Sequence, residues 1–165
     1  LNEAGQPARP GEVGELYVRS DSVAAGYWNK HEQTKETFAG DWLRTHDNFV
    51  LDEEGYYVYQ GRADDLFKVG GLYVASAEVE NALLAHEAVL ECAVVAAADG
   101  DGLLKPKAHV VVREGIAATP ALAAELQAFV KDRLAHYKYP RWVEFVPTLP
   151  KTATGKVQRY KLRQQ

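Results

Sequence analysis

Apolar residues follow two different rhythms along this chain, and the change between them falls near residue 63. Before it, short alternating runs are broken by glycine. Glu15, Leu16, Tyr17, Val18 and Arg19 alternate as a half-buried strand does. Residues 42–45 form a second strand candidate. Residues 55–60 form a third, rich in the tyrosines that suit a pleated surface. Asp52-Glu53-Glu54-Gly55 reads as a hairpin turn, and residues 31–38 as one short helix.

After the change, helical spacing appears. Ser76 can cap a helix running to about residue 86, with Glu78 and Glu80 near its positive end. Val79, Ala82 and Leu83 give that helix a buried stripe. Residues 90–98 read as an interior strand and residues 108–113 as another, with Asp99-Gly100-Asp101-Gly102 turning between them. Thr119 is a cap and Pro120 the first helical position. Leu122, Leu126, Phe129, Val130 and Leu134 then recur at helical spacing, predicting a long amphipathic helix that Pro140 stops. Residues 141–146 supply one more strand, and a polar, glycine-containing segment closes the chain. This order predicts an α+β fold: a small three-stranded sheet with flanking helices over residues 64–165, preceded by a β-rich piece over residues 1–63.

Composition narrows the function classes. With 47% hydrophobic residues in 165, the chain can bury a core. A net charge of −4 with dispersed lysines and arginines argues against a nucleic-acid partner held by phosphate contacts. No apolar run approaches the roughly 18 residues of a membrane span, and the polar start carries no signal-peptide pattern. Cys92 is the only cysteine, so no internal disulfide forms and a cytoplasmic setting is expected. Its apolar surroundings suggest a small buried hydrophobe. No methionine is present, and the opening Leu1-Asn2-Glu3-Ala4-Gly5 reads like the inside of a loop. Part of a longer protein is the expectation.

Two segments concentrate unusual residues. Gly61-Arg62-Ala63-Asp64-Asp65-Leu66-Phe67-Lys68-Val69-Gly70-Gly71 sits at the change of rhythm. Adjacent aspartates repel, so one is expected to cap a turn while the other meets a partner. Gly70 and Gly71 permit positive φ and a close approach of backbone to a ligand. Read alone, the segment is a charged linker followed by a tight turn. Pro150-Lys151-Thr152-Ala153-Thr154-Gly155-Lys156-Val157-Gln158-Arg159, read alone, is a flexible basic loop.

Both segments resemble motifs of the adenylate-forming superfamily, which holds acyl-CoA synthetases, luciferases and peptide-synthetase adenylation domains. The first, followed by Glu78-Val79-Glu80, resembles the superfamily's hinge motif. The second is similar to its C-terminal lysine motif. Upstream, Gly14-Glu15-Leu16-Tyr17-Val18 with Gly26-Tyr27-Trp28 and Thr37-Phe38 resembles another motif. Trp42-Leu43-Arg44-Thr45-His46-Asp47 resembles the superfamily's aromatic-x-Arg-Thr-Gly-Asp motif, with His46 where glycine is usual.

The resemblance implies a division of labour. Lys156 would be catalytic in adenylate formation, offsetting repulsion between a carboxylate and the α-phosphate of ATP together with Mg²⁺. Asp47 would bind the ribose hydroxyls of ATP and Arg62 its ribose or phosphates. Gly70 and Gly71 would line the channel for the pantetheine arm of coenzyme A. Asp64 would be the pivot of a mobile lid, and Lys151 would be structural. No metal-ligating set is expected within the chain. His46 as a base is disfavoured, because nothing near it in the sequence orients it. Residues 1–63 would be the tail of a large N-terminal domain and residues 64–165 the mobile C-terminal domain, the rest of the large domain being its partner. Asp101-Gly102-Leu103-Leu104-Lys105-Pro106-Lys107-Ala108 resembles the benzoate-CoA ligase branch, which implies a benzoate-like carboxylic acid, ATP and CoA as substrates. An acceptor on a carrier protein and a non-enzymatic interaction domain are the alternatives. The fragment alone is expected to be inactive, and Lys156 to be open to acetylation.

Overall fold

The structure is a computed structural model that describes residues 1–163, apart from the side chain of Asp64. The chain divides into two compact units, the first spanning Leu1–Asp64 and the second beginning at Asp65.

The first unit is a four-stranded antiparallel sheet built around one long strand. Its elements are β1 (Val13–Val18), helix α1 (His31–Thr37), β2 (Phe38–Ala39), β3 (Trp42–Leu51) and β4 (Tyr57–Arg62). β3 is central: β1 lines one edge, while β2 and β4 share the other. The sequence predicts only residues 42–45 for this strand, yet it runs six residues further. His46, with φ +59, interrupts the alternation without ending the ladder. The β3–β4 turn forms as expected, with Asp52 Oδ1 accepting from the backbone N–H groups of Glu54 and Tyr56. Phe49 packs edge-on against Tyr57 and Tyr59. Tyr56, Tyr57, Val58 and Tyr59 remain largely exposed.

The second unit opens with a hairpin, β5 (Leu66–Val69) and β6 (Leu72–Ala75), which leads directly into α2 (Ser76–Leu84). There follow β7 (Val89–Ala98), β8 (Leu104–Val112), α3 (Pro120–Lys131), a 3-10 turn at His136–Lys138, β9 (Trp142–Phe145) and α4 (Arg159–Leu162). β7, β8 and β9 make the expected three-stranded sheet of an α+β domain. β8 is central, antiparallel to β7 and parallel to β9. β7 is therefore an edge strand rather than an interior one. Its run is nonetheless apolar on both sides because both faces of the sheet are covered. Val94, Ala108 and Val110 face Val79 and Leu83 of α2 and Leu122, Leu126 and Val130 of α3. Ala93 and Val95 face Leu149 and Leu162, with Val111, Val146 and Val157 packed beside them. Each fully buried leucine or valine contributes about 1.5–3 kcal/mol.

Two predicted helix boundaries are corrected. Ser76 does not cap α2: Ala75 holds the N-cap position with no side-chain bond, and Ser76 is buried inside the first turn. β6 ends where the helix begins, which leaves no loop residue to serve as a cap. α3 starts as predicted, with Thr119 Oγ1 accepting from Leu122 N–H at 3.2 Å, but ends at Lys131, well before Pro140. There Arg133 Nη1 donates to the Phe129 carbonyl, and the chain turns so that Tyr137 and Tyr139 can pack on the core. Cys92 is buried, and burial followed by the charge of Glu80 pushes its thiol up to about 12. Among the described residues no helix is long and apolar enough to cross a membrane.

One polar residue is stranded in this core. His109 on β8 is fully buried, and neither ring nitrogen has a hydrogen-bond partner. The nearest carboxylate, Glu144, stands 3.7 Å from Nδ1, too far for a bond. Burial, aided by the charge of Lys107, holds the imidazole below its ordinary value of 6.5. The folded state thus resists a proton that the unfolded chain accepts. Stability present above pH 6.5 is lost as the pH falls below it. The melting temperature should fall between pH 7 and pH 5, and His109→Leu should flatten that fall without lowering the value at pH 7. A slope unchanged by the substitution would assign the acid sensitivity elsewhere.

Candidate functional site

In the first unit, β3 and β4 bring together the two residues expected to meet a nucleotide. Asp47 and Arg62 are direct cross-strand partners, and Arg62 Nη1 lies 3.4 Å from Asp47 Oδ1. Both side chains remain partly exposed, so the contact is weak and screened, and either group can exchange it for a ligand. Asp47 is aimed by its neighbour: Thr45 Oγ1 donates to the Leu16 carbonyl at 2.9 Å and accepts from Asp47 N–H at 3.1 Å.

His46 takes the left-handed backbone conformation that a glycine would adopt without strain. The departure from glycine is thus absorbed in the histidine's own φ. The expectation that nothing orients His46 is corrected. The half-buried Glu15 carboxylate accepts from Arg44 Nε at 2.8 Å and lies 3.3 Å from His46 Nδ1. That contact joins residues 31 positions apart in sequence.

In the second unit, Gly70 and Gly71 form the tip of the β5–β6 hairpin, with φ values of +58 and +84. These are the φ signs of a type I′ turn, the two-residue connection whose twist matches that of the flanking strands. A Cβ added at either glycine would meet nothing within 4 Å in this chain. Backbone conformation alone therefore requires them within the unit, and the space above the tip is open. Asp64, the residue assigned to the pivot, has its side chain outside the described residues. Its neighbour Asp65 accepts from Arg159 Nη1 and Arg163 Nη2, at 3.0 and 2.8 Å.

The lysine segment is not a loose loop. Lys151 and Val157 form an antiparallel bridge. Thr152 N–H donates to the Lys156 carbonyl, and Gly155 N–H to that of Thr152. Gly155 takes φ +84, and Thr152 Oγ1 accepts from Lys156 N–H at 3.1 Å. The result is a tight hairpin whose last turn residue is the glycine. Lys151 is tied to Glu91 at 2.7 Å. Lys156, at the hairpin's far end, is exposed and has no ion-pair partner among the described residues.

Arg159 anchors the other side. Its Nε and Nη2 donate to the two oxygens of Glu80 at 3.1 and 2.7 Å, a bidentate fork. Glu80 is nearly buried on α2, and its Oε1 also accepts from Val94 N–H at the free edge of β7. Sequence reasoning placed Glu80 near the helix's positive end and Arg159 at the end of the lysine motif, but did not pair them. The available signal was that Glu80 stands between Val79 and Leu83 on the buried face of α2, where a carboxylate demands a partner.

With this geometry in hand, residues 78–156 match the AMP-binding enzyme C-terminal domain. Over those residues the chain carries the C-terminal domain of AMP-binding enzymes. The relatives it resembles include CoA ligases of aromatic acids beside CoA ligases of other acids. It is 57% identical to the benzoate–CoA ligase of Thauera aromatica over 153 residues, 93% of this chain and 29% of the relative. A benzoate CoA ligase from Burkholderia xenovorans LB400 superposes with a TM-score of 0.84 at 51% identity, covering 98% of this chain and 32% of that one. The anthranilate CoA ligase AuaEII, solved with anthranoyl-AMP, superposes with a TM-score of 0.91 at 43% identity, covering 99% and 32%. The chain thus spans about a third of the length of the proteins it matches.

The backbone at His46 carries its own test. His46→Gly should unfold at the same or a higher denaturant concentration, whereas a β-branched residue forced into that φ should cost about 1–2 kcal/mol. Chemical denaturation of the chain with His46→Val beside His46→Gly measures the difference. Equal midpoints would mean that the position tolerates any side chain.

Proposed function

We propose that the chain is the C-terminal part of an ATP-dependent ligase joining an aromatic carboxylic acid, benzoate or a close analogue, to coenzyme A. In the first half-reaction the carboxylate attacks the α-phosphorus of ATP, giving acyl-AMP and pyrophosphate. In the second, the CoA thiol attacks the acyl carbon, giving the thioester and AMP. Residues 1–63 are then the tail of the large N-terminal domain, and residues 64–165 its mobile partner, pivoting at Asp64. A cytoplasmic setting fits the use of ATP and CoA.

The observation that carries this reading is the state of Lys156. A hairpin fastened at both ends presents one exposed ammonium, while the neighbouring Lys151 is spent on Glu91. Adenylate formation pushes two anions together. At about 4 Å each pair of unit charges costs about 4 kcal/mol at an effective dielectric of 20. A lysine brought to that point offsets the repulsion and stabilises charge in the transition state. Asp47 would accept from the ribose hydroxyls, and Arg62, once released from Asp47, would turn to ribose or phosphate oxygens. Among the described residues no group of three or more His, Cys, Asp or Glu side chains could hold a metal ion. Mg²⁺ would accompany ATP as part of the substrate. The open space above Gly70 and Gly71 suits a thin pantetheine chain.

Two substitutions in the full-length enzyme separate the half-reactions. Lys156→Ala should lower benzoate-dependent pyrophosphate release by about 10²–10³, while conversion of synthetic benzoyl-AMP by CoA stays within about threefold. Equal losses in both would reject the assignment. Gly70→Asn should do the reverse. Asparagine is at home at the first position of a type I′ turn, so the hairpin and the melting temperature should hold. The added side chain should slow the CoA step by about tenfold or more, since asparagine there would stand in the thiol's path. A full-speed CoA step in that variant would remove the channel from this hairpin.

A further inference from the structure

Resting on that function, we propose that Arg159 is a positioning residue for adenylate formation: its guanidinium locks the Lys156 hairpin to α2 and to Asp65, and so fixes where the ammonium is presented.

The hairpin has two footings, both within the second unit. At its leading end Lys151 pairs with Glu91 on β7. At its trailing end, Gln158 N–H donates to the Pro150 carbonyl, and Arg159 follows with its fork into Glu80 and a third bond to Asp65. Only Val157 and Gln158 separate Lys156 from Arg159. A tilt at the arginine therefore passes to the lysine with little slack.

The footing is also the reason the trailing segment is ordered. α4 has four residues, far too short to hold a helix by itself. Arg159 and Arg163 lie one turn apart on the same face, and each takes one oxygen of Asp65. Leu162 is buried against the sheet between them. Two carboxylates and one apolar contact thus shape a helix that propensity would not form.

Arginine is suited to this place because its planar fork can grip Glu80 with two bonds and still turn a third toward Asp65. A lysine, a point charge on a flexible stem, satisfies one carboxylate at a time. Glu80 in turn is held by Val94 N–H, so the arginine is referenced to the sheet as well as to the helix. Asp65 follows directly on the pivot position in sequence. The network therefore ties the hairpin to the point where the second unit begins. Lys156 is carried by the unit as a whole and does not swing on a loose loop.

The test uses the full-length enzyme with benzoate, ATP and CoA, assaying the two half-reactions separately. Arg159→Lys should lower the adenylation kcat by about tenfold or more, since a misplacement of about 1 Å can cost about 10²-fold. The ATP KM and the CoA step from synthetic benzoyl-AMP should each change by less than about threefold. Because the arginine acts through the lysine, the double variant Lys156→Ala/Arg159→Lys should adenylate no more slowly than Lys156→Ala alone. Losses that multiply, or that strike both half-reactions equally, overturn the proposal. If Lys156→Ala stops adenylation and Arg159→Lys does not slow it, positioning alone is refuted and the function stands. If Lys156→Ala leaves adenylation intact, the function itself fails and the proposal with it. Should Arg159→Lys fail to fold, Glu80→Gln keeps an acceptor for Val94 N–H, removes the charge facing the guanidinium, and is judged by the same criteria.

Discussion

A carboxylate on the buried face of a helix must be paired, and in the second unit the pairing of Glu80 with Arg159 governs much of what surrounds it. Removing one member of such a pair leaves an uncompensated charge in a poorly solvated site, at a cost on the order of 3 kcal/mol. The same carboxylate saturates a backbone N–H at the open edge of β7. One side chain thereby closes a sheet edge, joins a helix to that sheet and receives the C-terminal segment. Asp65 extends the arrangement by taking two arginines. Charge satisfaction and the burial of Leu162 together decide where residues 159–163 lie.

That arrangement divides the molecule's polar chemistry into two kinds. Arg159, Lys151 and Lys138 are each committed to carboxylates and hold elements together. Lys156 is left uncommitted on the outside of a stiff turn. In the first unit, Asp47 and Arg62 sit across neighbouring strands in a contact long enough to be given up. Side chains with strong internal partners read as scaffold, and those with weak or no partners as groups kept in reserve for a ligand.

The fold was largely legible in the residues. Thr119-Pro120 marked the start of α3, the apolar run through Val94 marked β7, and Gly70-Gly71 marked a tight turn but not the strands β5 and β6 beside it, because caps and turns are local and depend on a few dihedral angles. The failures share a cause. Ser76 had a capping residue's chemistry, but the preceding strand ran straight into the helix. The spacing through Leu134 continued the helical rhythm, but Tyr137 and Tyr139 needed the core and bent the chain. α4 was invisible, since its cause lies about 80 residues away in Glu80 and 94 away in Asp65. The candidate site divides the same way: Lys156, Asp47 and Arg62 are assigned through motif resemblance, whereas the partnership of Arg159 with Glu80 exists only in three dimensions. His46 shows a middle case, in which the unusual residue was visible but its backbone conformation and its contact with Glu15 were not.

The tyrosine-bearing strand β4 has a further consequence. Among the described residues no strand pairs with its outer edge, and Tyr56, Tyr57, Val58 and Tyr59 stand out from it with much of their area uncovered. An open row of backbone donors and acceptors flanked by aromatic rings is adhesive toward any extended peptide. Handled without a covering surface, this side of the first unit is where unwanted self-association would begin.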